Sequence, residues 1–196
     1  MRHVLRCSSI LTLILATSLV AAPPAPAAKA DPRTNEQQQA AADFSFEGAT
    51  LGMALKDFLE KYPKAEFGEQ ESNVKVGLKS YRVHELETAD SARYVFLDDM
   101  LFQVTAFYTP ARLKEMGGDT IPLRKLVQKL GKQDKNSPGI ARQNGEESFT
   151  AKWDFPTQRR TIRFVAAQKM SYVSCVDTSK SGVANKRLTD MAELGF

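Results

Sequence analysis

The sequence predicts an α+β fold of two tandem αβββ units, whose strands form an antiparallel sheet with helices packed on one face. Two observations lead there. Apolar residues recur at helical spacing at Leu51, Leu55, Phe58, Leu59 and Tyr62, and again at Leu123, Leu126, Val127 and Leu130; three runs rich in β-formers follow each stripe. Displacing the first half by 68 residues without a gap lays LKDFLEKYPK from Leu55 on LRKLVQKLGK from Leu123, and SYRVHE from Ser80 on SFTAKW from Ser148. Only six of 54 positions between Leu55 and Tyr108 are identical, so the duplication rests on the shared order of elements and their apolar periodicity.

In the first unit Thr50 is a plausible helix cap and Pro63 a stop. The strand-like runs are Ser80 to Leu86, Arg93 to Leu97 and Leu101 to Tyr108, the last two joined through Asp98 and Asp99, which tolerate tight-turn geometry. In the second unit Pro122 suits a first helical turn and Gly131 a C-terminal stop. Its strand-like runs are Ser148 to Phe155, Thr161 to Ala166 and Met170 to Val176.

Because successive strand side chains point to opposite faces, the repeat also predicts sidedness. Tyr81, Val83, Tyr94, Phe96, Phe102, Val104 and Ala106 are expected under the helices, with Phe149, Ala151, Trp153, Ile162, Phe164, Met170 and Tyr172 as their counterparts. The opposite, open face is expected to carry Arg82, His84, Arg93, Gln103, Thr105, Phe107, Lys152, Arg163, Val173 and Cys175. The last strand is the sensitive one: a one-residue slip exchanges Tyr172 for Val173 and Cys175.

Around these units, Arg2 and Arg6, the apolar run CSSILTLILATSLVAA and the small-residue sites up to Ala30 form a secretory signal pattern over residues 1–30. No membrane span is expected after processing. Residues 31–43, rich in Ala and Gln, read as a flexible leader. The first unit is then 44–118, the second 119–180, and 181–196 a tail whose Leu188, Met191 and Leu194 have the spacing of a short helix.

Removal of the signal takes 27 basic side chains to 24 against 23 acids, a net charge near +1, which excludes a strong nucleic-acid footprint. The charge is instead uneven. Residues 31–118 hold 10 basic and 15 acidic side chains, residues 119–196 hold 14 and 8, so the halves attract each other or one offers a basic surface to an acidic partner.

Past residue 30 there is one histidine, His84, and one cysteine, Cys175, so one chain offers no intramolecular disulfide and no His/Cys metal set. Glu66, Glu69 and Glu71 lack the spacing of a calcium loop. No G-x-S-x-G elbow occurs; a hydrolase would depend on His84, alone or beside Cys175 on the open face. Arg159, Arg160 and Arg163 are the densest basic group, read either as a solvated edge or as a hot spot for an acidic partner. No catalytic residue, cofactor or metal is assigned.

The order of a helix and three strands, with Gly48, Leu51-Gly52-Met53 and Asp57 at the helix entry, Pro63 at its end and Asp98-Asp99-Met100 at the hairpin turn, resembles the SmpA/OmlA outer-membrane assembly class. The duplication resembles the β-lactamase-inhibitor-protein-like fold. These resemblances cover about Phe44 to Val176 and imply cofactor-free binding of other proteins through the sheet face or loops. The expected protein is thus an exported, periplasmic or secreted, non-catalytic binding module that meets another envelope or secreted protein with Arg82, His84, Arg93, Gln103, Thr105, Phe107, Lys152, Arg163 and Val173. The alternatives are an inhibitor of an extracytoplasmic enzyme, a small-ligand or lipid carrier, and a hydrolase using His84.

Overall fold

A computed structural model describes residues 33–143 and 146–193; the signal pattern and Leu194 of the tail stripe lie outside them. The chain opens with α1 (Asn35–Ala42), the short hairpin β1 (Ser45–Phe46) and β2 (Ala49–Thr50), α2 (Leu55–Lys61) and β3 (Glu66–Phe67). A single 3₁₀ turn at Val74–Val76 leads into β4 (Leu78–His84), β5 (Ser91–Leu97) and β6 (Met100–Tyr108). Then come α3 (Pro110–Glu115), α4 (Ile121–Leu130), β7 (Gly139–Gln143), β8 (Glu146–Phe155), β9 (Arg160–Ala167), β10 (Ser171–Asp177) and α5 (Thr178–Glu193).

Eight strands form one antiparallel sheet in the order β3-β4-β5-β6-β10-β9-β8-β7. Each half contributes a meander, and the two meet through their last strands, β6 against β10. This arrangement makes the sheet nearly symmetric about that seam. One register row shows it: Tyr81, Tyr94, Val104, Cys175, Ile162 and Trp153 stand opposite one another across six strands. Five of the six belong to a single apolar core with Phe58 and Leu55 of α2, Leu126 and Leu130 of α4, Leu113 of α3 and Ala41 of α1, and Tyr81 packs against its edge. The halves therefore share one core.

The hairpin between β5 and β6 is built as its residues imply. Leu97 pairs with Met100, and the two turn residues Asp98 and Asp99 take φ of 50° and 61°, the left-handed pair that matches strand twist. This tip also receives the Leu51-Gly52-Met53 segment. Gly52 N–H donates to Leu101 O (2.7 Å), Leu101 N–H to Met53 O (2.9 Å), and Leu55 N–H to Asp99 O (2.8 Å). Gly52 sits at φ 94°, where other residues are strained, so the segment is a backbone clamp that fixes the start of α2 on the sheet. Consequently α2 begins at Leu55, capped by the backbone at Ala54, and Thr50 belongs to β2 instead of capping a helix.

Three expectations are corrected. Residues 34–42 of the expected flexible leader are ordered: Thr34 and Gln37 form a reciprocal capping box, and Ala41 is fully buried in the core. Phe102 does not face α1, α2 and α4, because a bulge opposite Val95 and Phe96 sends Leu101 inward and Phe102 to the other face, under α5. In β10 the sides are exchanged: Val173 and Cys175 enter the helix-side core and Tyr172 faces out. The uniform 68-residue shift holds between β5 and β9, Tyr94 with Ile162 and Phe96 with Phe164, but not between β4 and β8, where Tyr81 matches Trp153 instead of Phe149. It also fails beyond the longer β9–β10 turn, so Val104 matches Cys175, where the uniform shift places Tyr172.

Cys175 is consequently fully buried, and burial pushes its thiol from its ordinary value up to about 12. That rise leaves about a thousandfold less thiolate near neutral pH. A disulfide reagent is expected to label Cys175 only in denaturant, measured as labelling time against unfolding; rapid labelling of the native protein would contradict this burial.

Candidate functional site

On the face opposite α1, α2 and α4 the register row next to the core row reads Arg82, Arg93, Thr105, Ser174, Arg163 and Lys152 across β4, β5, β6, β10, β9 and β8. Its pattern is symmetric about the seam: two cations, a hydroxyl, a hydroxyl, two cations. The next residues along the strands on this face are Ser91, Phe107, Tyr172 and Val165 on one side and Val95, Gln103, Val176 and Thr161 on the other. Phe107 and Tyr172 pack with ring centres 6.2 Å apart.

The helix α5 crosses this face. It leaves β10 at Thr178 and packs Ala184 on Val95, Leu97 and Phe102. Its far part is tied to the β5–β6 tip, where Arg187 holds Asp98 through two hydrogen bonds of 2.7 and 2.8 Å and also donates to Val76 O. The guanidinium keeps the Asp98 carboxyl below its usual range. At the near end Asp177 accepts from Ser179 and the Lys180 N–H and pairs with Arg160 at 2.9 Å. Burial raises the Asp177 carboxyl, but these donors outweigh it and bring it below its ordinary value.

Between α5 and the sheet lies a groove of about 700 Å³. The sheet supplies its floor: Arg93, Gln103, Thr105, Phe107, Thr161, Arg163, Tyr172, Ser174 and Val176. Thr178, Ser181, Gly182 and Asn185 of α5 form the wall, and no carboxylate lines it.

Of the residues expected on the interaction face, Arg93, Gln103, Thr105, Phe107 and Arg163 come together in this groove. Arg82 and Lys152 lie at the two ends of the row, neutralised by Glu71 (3.0 Å) and Asp154 (2.6 Å). His84 is at the exposed end of β4, 3.5 Å from Glu66. Val173 is not on this face but 6% exposed in the opposite core, because the longer β9–β10 turn sets the other register. The Cys175 and His84 pairing is removed for the same reason: the two side chains lie on opposite faces of the sheet. The Arg159, Arg160 and Arg163 group is divided as well. Arg159 occupies a turn at φ 54°, Arg160 pairs with Asp177, and Arg163 alone reaches the groove.

Sequence reasoning missed Tyr172, Ser174, Thr161 and the α5 wall. The helical spacing of Leu188 and Met191 signalled a docked tail, but did not say where on the sheet it docks. Among the described residues no group of three His, Cys, Asp or Glu side chains is placed to hold a metal ion, and no helix is long and apolar enough to cross a membrane. No known protein family, curated protein or solved structure matches the chain.

Proposed function

We propose that the protein is an exported, non-catalytic binding module of the cell envelope that receives a segment of another envelope or secreted protein in the groove between the sheet and α5. The observation that carries this reading is the groove itself: it is open, it mixes polar side chains with Phe107, Tyr172 and Val176, and its floor is a continuous sheet supported from behind by one packed core. On the other face the centre of the space between sheet and helices is filled by Phe58, Trp153, Phe155, Ile162 and Phe164, each at most 1% exposed. The cavity that remains there, about 410 Å³ beside Leu113 of α3, Phe149 and Ala166, has Asp119 and Glu147 in its lining, which a lipid chain would not favour. Export rests on the N-terminal signal pattern, and the mode of action on the resemblance to SmpA/OmlA and β-lactamase-inhibitor-like domains.

Blocking the groove tests it. Gly182 lines the wall, and a Cβ added there meets nothing within 4 Å, so a side chain introduced there starts into open space. In pull-downs from native envelope and secreted fractions, Gly182→Trp is expected to abolish saturable capture of a partner, while Gly182→Ala retains it. Equal capture by both variants, or no saturable capture by the unaltered protein, would reject the groove as the binding site.

A further inference from the structure

We infer that the groove is built for an acidic, extended segment of the partner, whose carboxylates lie on Arg93 and Arg163 while Thr105 and Ser174 donate between them; this rests on the reading of the groove as a protein-binding site. The pairing pattern of the row is the first argument. Its outer cations are neutralised in place by Glu71 and Asp154, yet among the described residues neither inner one, Arg93 or Arg163, has an ion-pair partner. Arg93 is half-buried, and its Nε is shielded from solvent without a hydrogen-bond acceptor among the described residues. A guanidinium partly withdrawn from water and left unpaired is unfavourable unless a ligand supplies the acceptor.

The second argument is composition. No Asp or Glu lines the groove itself; Glu71 reaches the adjoining pocket beside Arg93 but is held by Arg82 at 3.0 Å. Arginine favours such a site because its fork matches a carboxylate with two parallel hydrogen bonds. Attraction here is local, since the chain without its first 30 residues carries 24 basic and 23 acidic side chains and has almost no net field.

Spacing identifies the shape of the occupant. Arg93 on β5 and Arg163 on β9 are separated by three strand-to-strand steps, about 14 Å between backbones. Four residues of extended chain span about the same distance. A segment lying along the row, beside α5, therefore brings acidic side chains four positions apart over the two arginines. Its central residues then lie above Thr105 and Ser174, and Phe107 with Tyr172 form an aromatic shoulder.

The test is direct binding of a labelled peptide carrying Glu at every fourth position in a Gly/Ser background, with a Lys-for-Glu peptide as its counterpart. The Glu peptide is expected to bind saturably and more weakly as salt is raised, and the Lys peptide not to bind. Arg93→Gln and Arg163→Gln should each weaken binding about tenfold with an unchanged melting curve. Arg142→Gln, on the exposed edge strand β7, should leave it unchanged. The inference is overturned if the Glu peptide does not bind, if both arginine variants bind it as before, or if inorganic phosphate at equal concentration displaces it, which would make this a small-anion site. If Gly182→Trp blocks capture of the native partner while the arginine variants do not, the groove survives as the binding site and the acidic ligand is rejected.

Discussion

Trp153→Ala is expected to cost about 3–5 kcal/mol, a large share of the stability of a chain this size. Trp153 is the largest side chain with no solvent exposure, and it stands at the end of the core row beside Ile162. Two losses combine. Its removal leaves a cavity between β8 and the helix layer, where neighbouring strands held in register limit collapse. It also removes the Nε1–H that donates to Gly131 O at 2.9 Å, at the stop of α4. Trp153→Phe separates the two effects, since it restores most of the apolar volume but leaves that carbonyl unpaired, for an expected cost of about 1–3 kcal/mol. Urea unfolding followed by circular dichroism gives the measurement, with the midpoint falling and the slope unchanged. A loss below about 1 kcal/mol for Trp153→Ala would mean that the core closes over the gap, contrary to its packing.

What the sequence disclosed follows the physics of periodicity. Alternation in β5 and β8 places Tyr94, Phe96, Ala151 and Trp153 inside and Arg93 and Lys152 outside: β8 is apolar on one face only, and on β5 Arg93 marks the open face although Val95 and Leu97 there are apolar too. The Asp98-Asp99 turn was legible for a similar reason: few residues accept two successive left-handed conformations. The failures occur where a strand is apolar on both sides. In β10, Tyr172 and Val176 alternate with Val173 and Cys175, so either register buries an apolar pair, and the length of the preceding turn decides. In β6, Leu101 and Phe102 are both apolar, and the bulge gives one to the main core and the other to α5.

The site was half legible by the same rule. Arg93, Thr105 and Arg163 follow from alternation, whereas the wall that turns their face into a groove does not. Of the residues of α5 only Ala184 is buried, so its sequence carries little trace of the surface it covers. Its position is set by Arg187 on Asp98 and by Asp177 at its first turn, and those partners are 89 residues apart in one case. The pairing of Arg187 with Asp98 also joins the basic half to the acidic one, in keeping with the attraction between halves expected from their charge. Composition concealed α1 in another way: an Ala- and Gln-rich stretch has little to bury, yet its capping box was visible in Thr34 and Gln37.

Phe58→Ala is expected to be nearly as damaging, about 3–5 kcal/mol, and its readout decides whether the repeated halves unfold as one body. Phe58 is fully buried on α2, with its ring centre 4.8 Å from Tyr94, 5.0 Å from Tyr62 and 5.1 Å from Phe96. Removing the ring empties the centre of this aromatic cluster and detaches α2 from β5. The chain holds a single tryptophan, Trp153, in the other half. Its fluorescence therefore reports on a region that Phe58 does not belong to by sequence, while circular dichroism reports on both halves. Because the core is continuous across the β6–β10 seam, Phe58→Ala should lower the fluorescence and dichroism midpoints equally, in one transition. If dichroism splits and the Trp153 midpoint stays in place, each αβββ unit folds alone and the seam is only a docking contact. Coincident shifts would make the sheet one cooperative floor, so that a ligand spanning Arg93 and Arg163 binds both halves of a single folding unit.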